Sequence, residues 1–280
     1  MALPSIDLGA MERIERKQAN RRLARYLCET MAPVLPRLPS EPECVPGFVD
    51  LASVNATTAQ FDQGRQYSIH IMISFLLGLN WEHDPAYALV PLIFSDEGMA
   101  EDSRLDMALN TAIKLRQQLE AVQSRMHAVT LETLFIPIEQ LNQHDMWSAF
   151  QRLAELRGVV DAQDVLHILT LYEADACEYF GLPPIKRKKL TAYERLGYEQ
   201  MGIPLPLPTD ELKDMERDSL ILLTHHVLLA ASFGRFYHVN PLLQALHQSL
   251  SDAANLPART SALVTFLQQH QNALTEPAHG

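Results

Sequence analysis

The chain has 280 residues, a formal net charge of −11 and a sequence pI of about 5.4, with 47% hydrophobic and 20% charged residues. This balance excludes a largely disordered chain, and the negative charge disfavours nucleic acid as a partner because it repels phosphate groups. With only 11 glycines and few aromatic residues, the composition favours helices over sheets. The sequence therefore predicts a predominantly all-α, multi-helix, bundle-like body.

The first predicted element is a helix from about Met11 to Met31. Apolar residues recur along it at roughly helical spacing, while its other face is basic and carries Arg21, Arg22 and Arg25. This face could dock on an acidic partner or on a membrane surface. We expect that it pairs instead with the acidic surface of the protein itself.

Prolines at positions 33, 36, 39, 42 and 46 follow this helix. Proline cannot continue a helix or a central strand, so they predict an extended strap. We therefore divide the chain into an N-terminal arm, residues 1–46, and a helical body, residues 47–280. A further lobe boundary near residue 140 or 205 remains an alternative.

The sequence predicts two helices in the first half of the body. One covers residues 57–79 and ends at Gly78, and Asp84 then serves as the N-cap of a new element with Pro85 in its first position. The other covers residues 102–126, where a heptad seam runs for three repeats. We expect the seam to pack inside the chain, and pairing of two chains into a homodimer is the alternative.

The second half continues with helices at 146–156, 161–180 and 191–201, then a long core helix from 209 to Gly234. Asn240-Pro241 and Pro257 are expected to begin two more helices. A second proline strap is expected at 203–208. Residues 131–141 are expected to form either a short strand or an irregular turn. No repeat of fixed period is evident, so the sequence does not predict a solenoid.

Motifs for nucleotide, serine-hydrolase and di-iron chemistry are absent from the sequence, which has no GxGxxG, GxxxxGK, GxSxG or HExxH. We therefore predict no catalytic residues, no metal site and no cofactor. The three cysteines, at positions 28, 44 and 177, form no disulfide framework and favour a reducing compartment. The N-terminus lacks the apolar run of a secretory signal, and residues 220–233 are too few to span a bilayer. We expect a cytoplasmic protein without stable membrane insertion.

Glu82, His83 and Asp84 form the first of three polar clusters. A carboxylate beside a histidine can orient it as a base. The simpler interpretation is a junction between helices, with Asp84 as the cap and His83 in solvent.

His225 and His226 lie within the apolar core helix, with His238 further along the chain. Adjacent helical residues diverge by about 100°, so both rings cannot easily bind one metal ion. A hydrogen-bonded core histidine is the favoured interpretation, and a small-molecule or metal site is the alternative.

Glu173, Asp175 and Glu178 precede the basic run 186–189. This acidic patch could meet a basic partner, or the basic loop could hold an anion. The favoured interpretation is a solvated helix face followed by cations near the C-terminus of the helix, where the helix dipole favours them.

The block from Gly64 to Leu109 resembles a segment of the small helical proteins that accompany bacterial type VI secretion effector modules. The shared features would be Gly78, Trp81, Asp84-Pro85 and Arg104-Leu105. The resemblance implies an accessory role as an effector chaperone, an adaptor or a toxin-neutralising immunity protein, and it brings no catalytic residues.

The leading hypothesis is therefore a non-enzymatic protein-binding protein, whose partner could be a secreted effector or toxin. Its predicted contact residues are Glu173, Asp175, Glu178, Arg21, Arg22 and Arg25. The alternative is a helical enzyme or a ligand sensor with a site near His83 or near His225 and His226.

Overall fold

The computed structural model describes residues 8–31, 37–187, 190–202 and 210–275. Over these ranges the chain forms α-helices, short 3-10 helices and turns, with no β-strand, which confirms the predicted all-α class. The α-helices are α1 Leu8–Met31, α2 Cys44–Thr58, α3 Gly64–Leu77, α4 Leu89–Phe94, α5 Glu101–Leu134, α6 Gln143–Leu156, α7 Ala162–Phe180, α8 Ala192–Met201, α9 Arg217–Phe233, α10 Gln244–Ser251 and α11 Leu256–Thr275.

Two compact units make up the chain, and both are discontinuous in sequence. The first unit comprises Met1–Glu120, Phe236–Ser251 and Gln269–Gly280, and the second comprises Ala121–Arg235 and Asp252–Gln268. The division into an arm, 1–46, and a body, 47–280, was made from proline content and stays a prediction.

The first unit contains two clusters of buried side chains. In one, α1 and α3 pack on α2, and Leu27, Phe48 and Phe75 are almost completely buried together with Leu242 from the 3-10 turn before α10. In the other, α3 packs with α4 and α5 around Trp81. The start of the heptad seam belongs to this second cluster, since Leu105, Ala108 and Ala112 are all 0% exposed. That part of the seam therefore packs inside the chain, as expected.

The second unit is organised around α9, which packs against both α6 and α7. Side-chain caps begin two helices of this unit: Asn142 forms a reciprocal capping box with Asp145 at the start of α6, and Asp161 accepts hydrogen bonds from two amides at the start of α7. Arg157 at the end of α6 donates a hydrogen bond of 3.0 Å to the carbonyl of Ala231 on α9.

Several predicted boundaries were wrong. Residues 44–46 are helical rather than part of the strap, because Pro46 lies in the first turn of α2, where its missing N–H costs no helical hydrogen bond. The helix predicted at 57–79 is interrupted between Thr58 and Gly64, because Gln60 adopts a left-handed φ of 66°. The core helix begins at Arg217 rather than at 209, since Glu216 is extended with ψ of 139°.

The segment 131–141 contains no strand. Residues 131–134 continue α5, and turns around Pro137 follow. Residues 203–208, the predicted second strap, and Lys188-Lys189 of the basic run lie outside the described residues.

The structure reveals an internal repeat that the sequence did not disclose. α3 and α9 each end at a glycine, then continue through two 3-10 turns separated by an Asx-Pro step, and then through a short and a long helix. Gly234 follows Gly78 by 156 positions, as Pro241 follows Pro85. The backbones agree, because Gly78 has φ 107° and ψ 165° and Gly234 has φ 96° and ψ 153°.

The Asx-Pro steps of the two copies also match. Asp84 and Asn240 each accept a 3.0 Å hydrogen bond from the amide two residues ahead, and proline occupies the next position in both. The predicted N-cap roles of both residues are confirmed. His70 and His226 hold equivalent places, eight residues before the glycine, and both are 0% exposed.

Within the described residues, no helix combines the length and the hydropathy that crossing a bilayer would require.

Candidate functional site

The outward face of α1 is basic. The helix holds six basic and three acidic residues in a chain of net charge −11. Arg21, Arg22 and Arg25 are all exposed, and none forms an ion pair with another described residue. The expectation that these arginines pair with the protein's own acidic surface was therefore wrong within the described part of the chain.

The opposite side of α1 is fixed in place by buried contacts. Asn20 donates hydrogen bonds to the Asp50 carboxylate at 2.9 Å and to the Ser53 hydroxyl at 3.2 Å, and it accepts one from the Tyr67 hydroxyl. Arg16, part of the same basic series, donates to the Thr57 hydroxyl at 3.2 Å. These bonds hold α1 in one rotation about its axis, so its arginines are presented from a defined surface.

The cluster predicted at residues 82–84 is divided between different environments. His83 is exposed, while Asp84 is 2% exposed and caps the 3-10 turn that begins at Pro85. Glu82 bonds to another histidine, His70 on α3, with 2.6 Å between Oε1 and Nε2. The simpler interpretation of His83 and Asp84 fits the structure, and the histidine beside the carboxylate is one that the sequence analysis missed.

His70 is surrounded by aromatic rings. Its ring centroid lies 5.4 Å from that of Trp81, 5.8 Å from that of Phe61 and 6.1 Å from that of Phe94. Burial alone would raise the pKa of Glu82, but the hydrogen bond and charge of His70 outweigh it and hold that pKa below its ordinary value. The pair is therefore a largely buried polar contact that joins α3 to the first 3-10 turn.

Glu173, Asp175 and Glu178 do not form one exposed acidic patch. Glu173 is 1% exposed and pairs with Arg187 from the loop after α7, whereas Glu178 is exposed. Asp175 is half-buried and receives two hydrogen bonds from Arg235, at 2.6 and 2.8 Å. The expectation of a shared solvated face failed because α7 turns Glu173 towards the protein interior.

Burial dominates the electrostatics of Glu173. It raises the pKa of this carboxyl to about 7, although Arg187 acts to lower it, and Glu211, whose carboxylate lies 3.8 Å from Arg187, adds to the increase. Arg187 belongs to the basic run 186–189, so the described part of this run forms an ion pair inside the protein, with Glu173.

His225 and His226 are both buried in α9, as expected for core histidines. Nε2 of His225 lies 3.3 Å from the Thr260 hydroxyl on α11. The ring of His226 packs against Tyr179 and Phe180 at the end of α7, with centroid distances of 5.9 and 6.1 Å. Each ring therefore meets a different helix.

Metal ligation would require side chains that converge. Among the residues that the structure describes, no three His, Cys, Asp or Glu side chains are grouped so that they could hold an ion.

In comparisons with known proteins, no family model, no curated protein and no solved structure matches this chain.

Proposed function

We propose that the chain is a non-enzymatic protein-binding protein and that the outward face of α1 is its docking surface. The partner is a protein with an acidic surface. The observation that carries the proposal is the exposure of Arg21, Arg22 and Arg25 without an ion pair to any described residue.

Charge complementarity supports this choice of partner. Exposed charges at an interface accelerate association and select partners of opposite sign. Arginine also forms planar, bidentate contacts with carboxylates, which makes it well suited to interfaces. A face rich in arginine therefore favours a partner with an acidic surface.

Exposed apolar side chains on α1 support a protein partner rather than a simple counter-ion. Ile14 is 59% exposed and lies two turns before Arg21 on the same face, and Tyr26 is 48% exposed and lies one turn after Arg22. Aromatic residues and arginines are enriched where proteins meet, because each contributes a large contact area.

The biological role that we propose is accessory: an adaptor, a chaperone or a toxin-neutralising immunity protein in the cytoplasm. It rests on the resemblance of residues 64–109 to helical proteins of type VI secretion effector modules, and the genes beside the one encoding this chain bear directly on it.

A charge-reversal experiment tests the docking surface. The full chain is co-expressed with the product of the adjacent gene, and the complex is isolated by size-exclusion chromatography and its affinity measured by calorimetry. We expect a stoichiometric complex, and we expect Arg21→Glu, Arg22→Glu and Arg25→Glu together to weaken it by about tenfold or more.

The matched control reverses Lys114, Arg125 and Lys213, which are also exposed. It gives the same net charge as the test variant and should bind like the wild type. Equal weakening in both variants would assign the effect to net charge and refute the α1 surface. Binding to anionic phosphatidylglycerol vesicles with no protein complex would refute the proposed function.

A further inference from the structure

The short helix α4 carries two exposed leucines on one face. Leu89 is 58% exposed and Leu92 is 70% exposed, and residues three apart on a helix are neighbours on its surface. The opposite face is buried through Val90 and Phe94, which are 0% and 2% exposed. The ring of Phe94 packs against that of Trp81 with 5.7 Å between their centroids, so α4 is fixed with its leucines in solvent.

The internal repeat shows which residues the fold accepts at these two positions. The offset of 156 residues between the copies relates Leu89 to Ala245 and Leu92 to Gln248 on α10. Both α10 residues are exposed like their counterparts, and Leu246, which corresponds to the buried valine of α4, is also 0% exposed. The same local structure therefore forms with alanine and glutamine in place of the two leucines. Neighbouring exposed apolar side chains that folding does not require are typical of interaction sites.

Acidic residues without an ion pair follow these leucines in the chain. Residues 95–102 contain four acidic residues and no basic residue. Asp96 lies four positions after Leu92, and its amide donates to the carbonyl of Ile93 at 3.3 Å, so it lies within one turn of the exposed leucine. Asp96 and Glu97 are both exposed, and neither forms an ion pair with another described residue.

The other two acidic residues of this segment lie at the start of α5. Asp102 pairs with Arg65, whereas Glu101 accepts a hydrogen bond of 2.9 Å from the neutral side chain of Gln66. Three of the four carboxylates therefore have no cationic partner among the described residues. An apolar surface beside uncompensated negative charge is complementary to a surface that is apolar and positively charged.

We propose that Leu89, Leu92, Asp96 and Glu97 form a second docking surface, the α4 surface, which binds a basic amphipathic segment of a partner protein. The aliphatic side chains of that segment pack on the two leucines, and its lysines or arginines pair with the carboxylates. This surface is independent of the α1 surface, because the two surfaces require partners of opposite charge.

A second copy of the chain fits the α4 surface less well than a basic partner. The net charge of −11 opposes the close approach of two copies, and pairing of two α4 surfaces would bring like charges together. The same carboxylates repel an anionic lipid surface. Since the α1 surface of another copy is basic, self-association is measured alongside partner binding.

Calorimetric titration of the full-length protein with a synthetic peptide tests the α4 surface. The probe contains only leucine and lysine, arranged as one apolar and one basic face of a helix. The comparison probes are a scrambled peptide of the same composition, which has no apolar face, and a peptide with glutamate in place of lysine. We expect one amphipathic probe to bind per chain, at least tenfold more tightly than either comparison peptide.

Substitution with the residues of the second copy tests the leucines. Leu89→Ala combined with Leu92→Gln reproduces the α10 side chains and should weaken probe binding by about tenfold or more, with an unchanged melting temperature because both leucines are exposed. The matched control is Leu51→Ala with Val54→Gln on α2, a pair that is 45% and 60% exposed at the same spacing. This control should bind the probe like the wild type.

Neutralising the carboxylates tests the charge. Asp96→Asn combined with Glu97→Gln should weaken probe binding severalfold, and the loss should shrink as the salt concentration rises, because salt screens exposed charges. A loss that does not depend on salt would refute the electrostatic part of the proposal.

The remaining outcomes are equally decisive. Equal binding of the amphipathic and scrambled probes, equal weakening by the α2 control, or unchanged binding in the variant of Leu89 and Leu92 would overturn the α4 surface. A lower melting temperature of that variant would show that the fold needs the leucines. Sedimentation that reveals self-association, lost both in that variant and after reversal of Arg21, Arg22 and Arg25 to glutamate, would assign the surface to a second copy and overturn the proposal.

Discussion

The two copies of the repeated segment share a backbone but carry different side chains in the same turn. The first copy reads Trp81-Glu82-His83-Asp84 and the second reads Tyr237-His238-Val239-Asn240. Both copies have a glycine, an Asx cap and a proline at equivalent places, whereas the residues between the glycine and the cap differ. In the first copy one of these positions is a glutamate that pairs with His70, and in the second the equivalent position is a histidine.

A second comparison concerns two buried carboxylates, one in each unit. Glu82 pairs with a histidine and has a pKa below its ordinary value, whereas Glu173 pairs with an arginine and has a pKa raised to about 7. Burial is the largest influence on both carboxyls, and the Glu173 side chain is only 2% exposed while that of Glu82 is 18% exposed. Glu211 adds to the rise in the pKa of Glu173, whereas a backbone hydrogen bond and His83 join His70 in lowering the pKa of Glu82.

The largest expected effect comes from breaking the pair in the first unit. His70→Leu leaves Glu82 charged and poorly solvated, and should lower the free energy of unfolding by about 3 kcal/mol at pH 7. Combining it with Glu82→Leu removes both polar groups and should recover most of that loss. Urea denaturation of the two variants measures this, and a double variant no more stable than the single one would mean that the pair is not electrostatically coupled.

The next effect concerns pH and Glu173. Because its pKa is raised from an ordinary 4.5 to about 7 in the folded state, its contribution to stability is fully present below pH 4.5 and is lost as the pH rises through 7. The unfolding free energy should fall by on the order of 2 kcal/mol between pH 5 and pH 8 from this group alone.

Glu173→Gln, which does not titrate, should flatten this dependence. The measurement is urea denaturation of both proteins across that range. An identical pH profile for the variant and the wild type would contradict the shift.

The smallest expected effect tests the shared backbone of the two copies. Gly78→Ala and Gly234→Ala place a side chain at φ values of 107° and 96°, and each should cost about 1 kcal/mol or slightly more. Gly47 in α2 is the control: no atom lies within 4 Å of an added Cβ and its φ is not positive, so Gly47→Ala should stabilise by about 0.5 kcal/mol. Thermal denaturation measures all three, and a harmless Gly78→Ala would refute the backbone requirement.

Helices and their caps could be predicted because their signals are local. Asp84, Asp161 and Asn240 were recognised as caps or helix starts from the residues around them, and the apolar spacing of α5 identified its buried side. The errors arose where such a local signal is missing. Gln60 has a left-handed conformation and Glu216 an extended one, but neither residue type favours that conformation.

The polar contacts were less predictable because they join residues distant in the chain. Proximity in the sequence suggested that Glu82 interacts with His83. Its hydrogen-bond partner is instead His70, which lies 12 residues earlier in the chain. The repeat was missed for a related reason: its copies share a backbone while only a few residues, such as His70 and His226 or Gly78 and Gly234, are identical at equivalent positions.

The first unit is closed by residues that are synthesised late. Leu242 is buried in its core, and Gln244 accepts a hydrogen bond from Cys44 at 3.2 Å. On the ribosome, α1 to α4 therefore emerge long before the segment that completes their packing. Until that segment is synthesised, the apolar surface of the nascent first unit stays uncovered, which exposes the chain to aggregation or chaperone capture during translation.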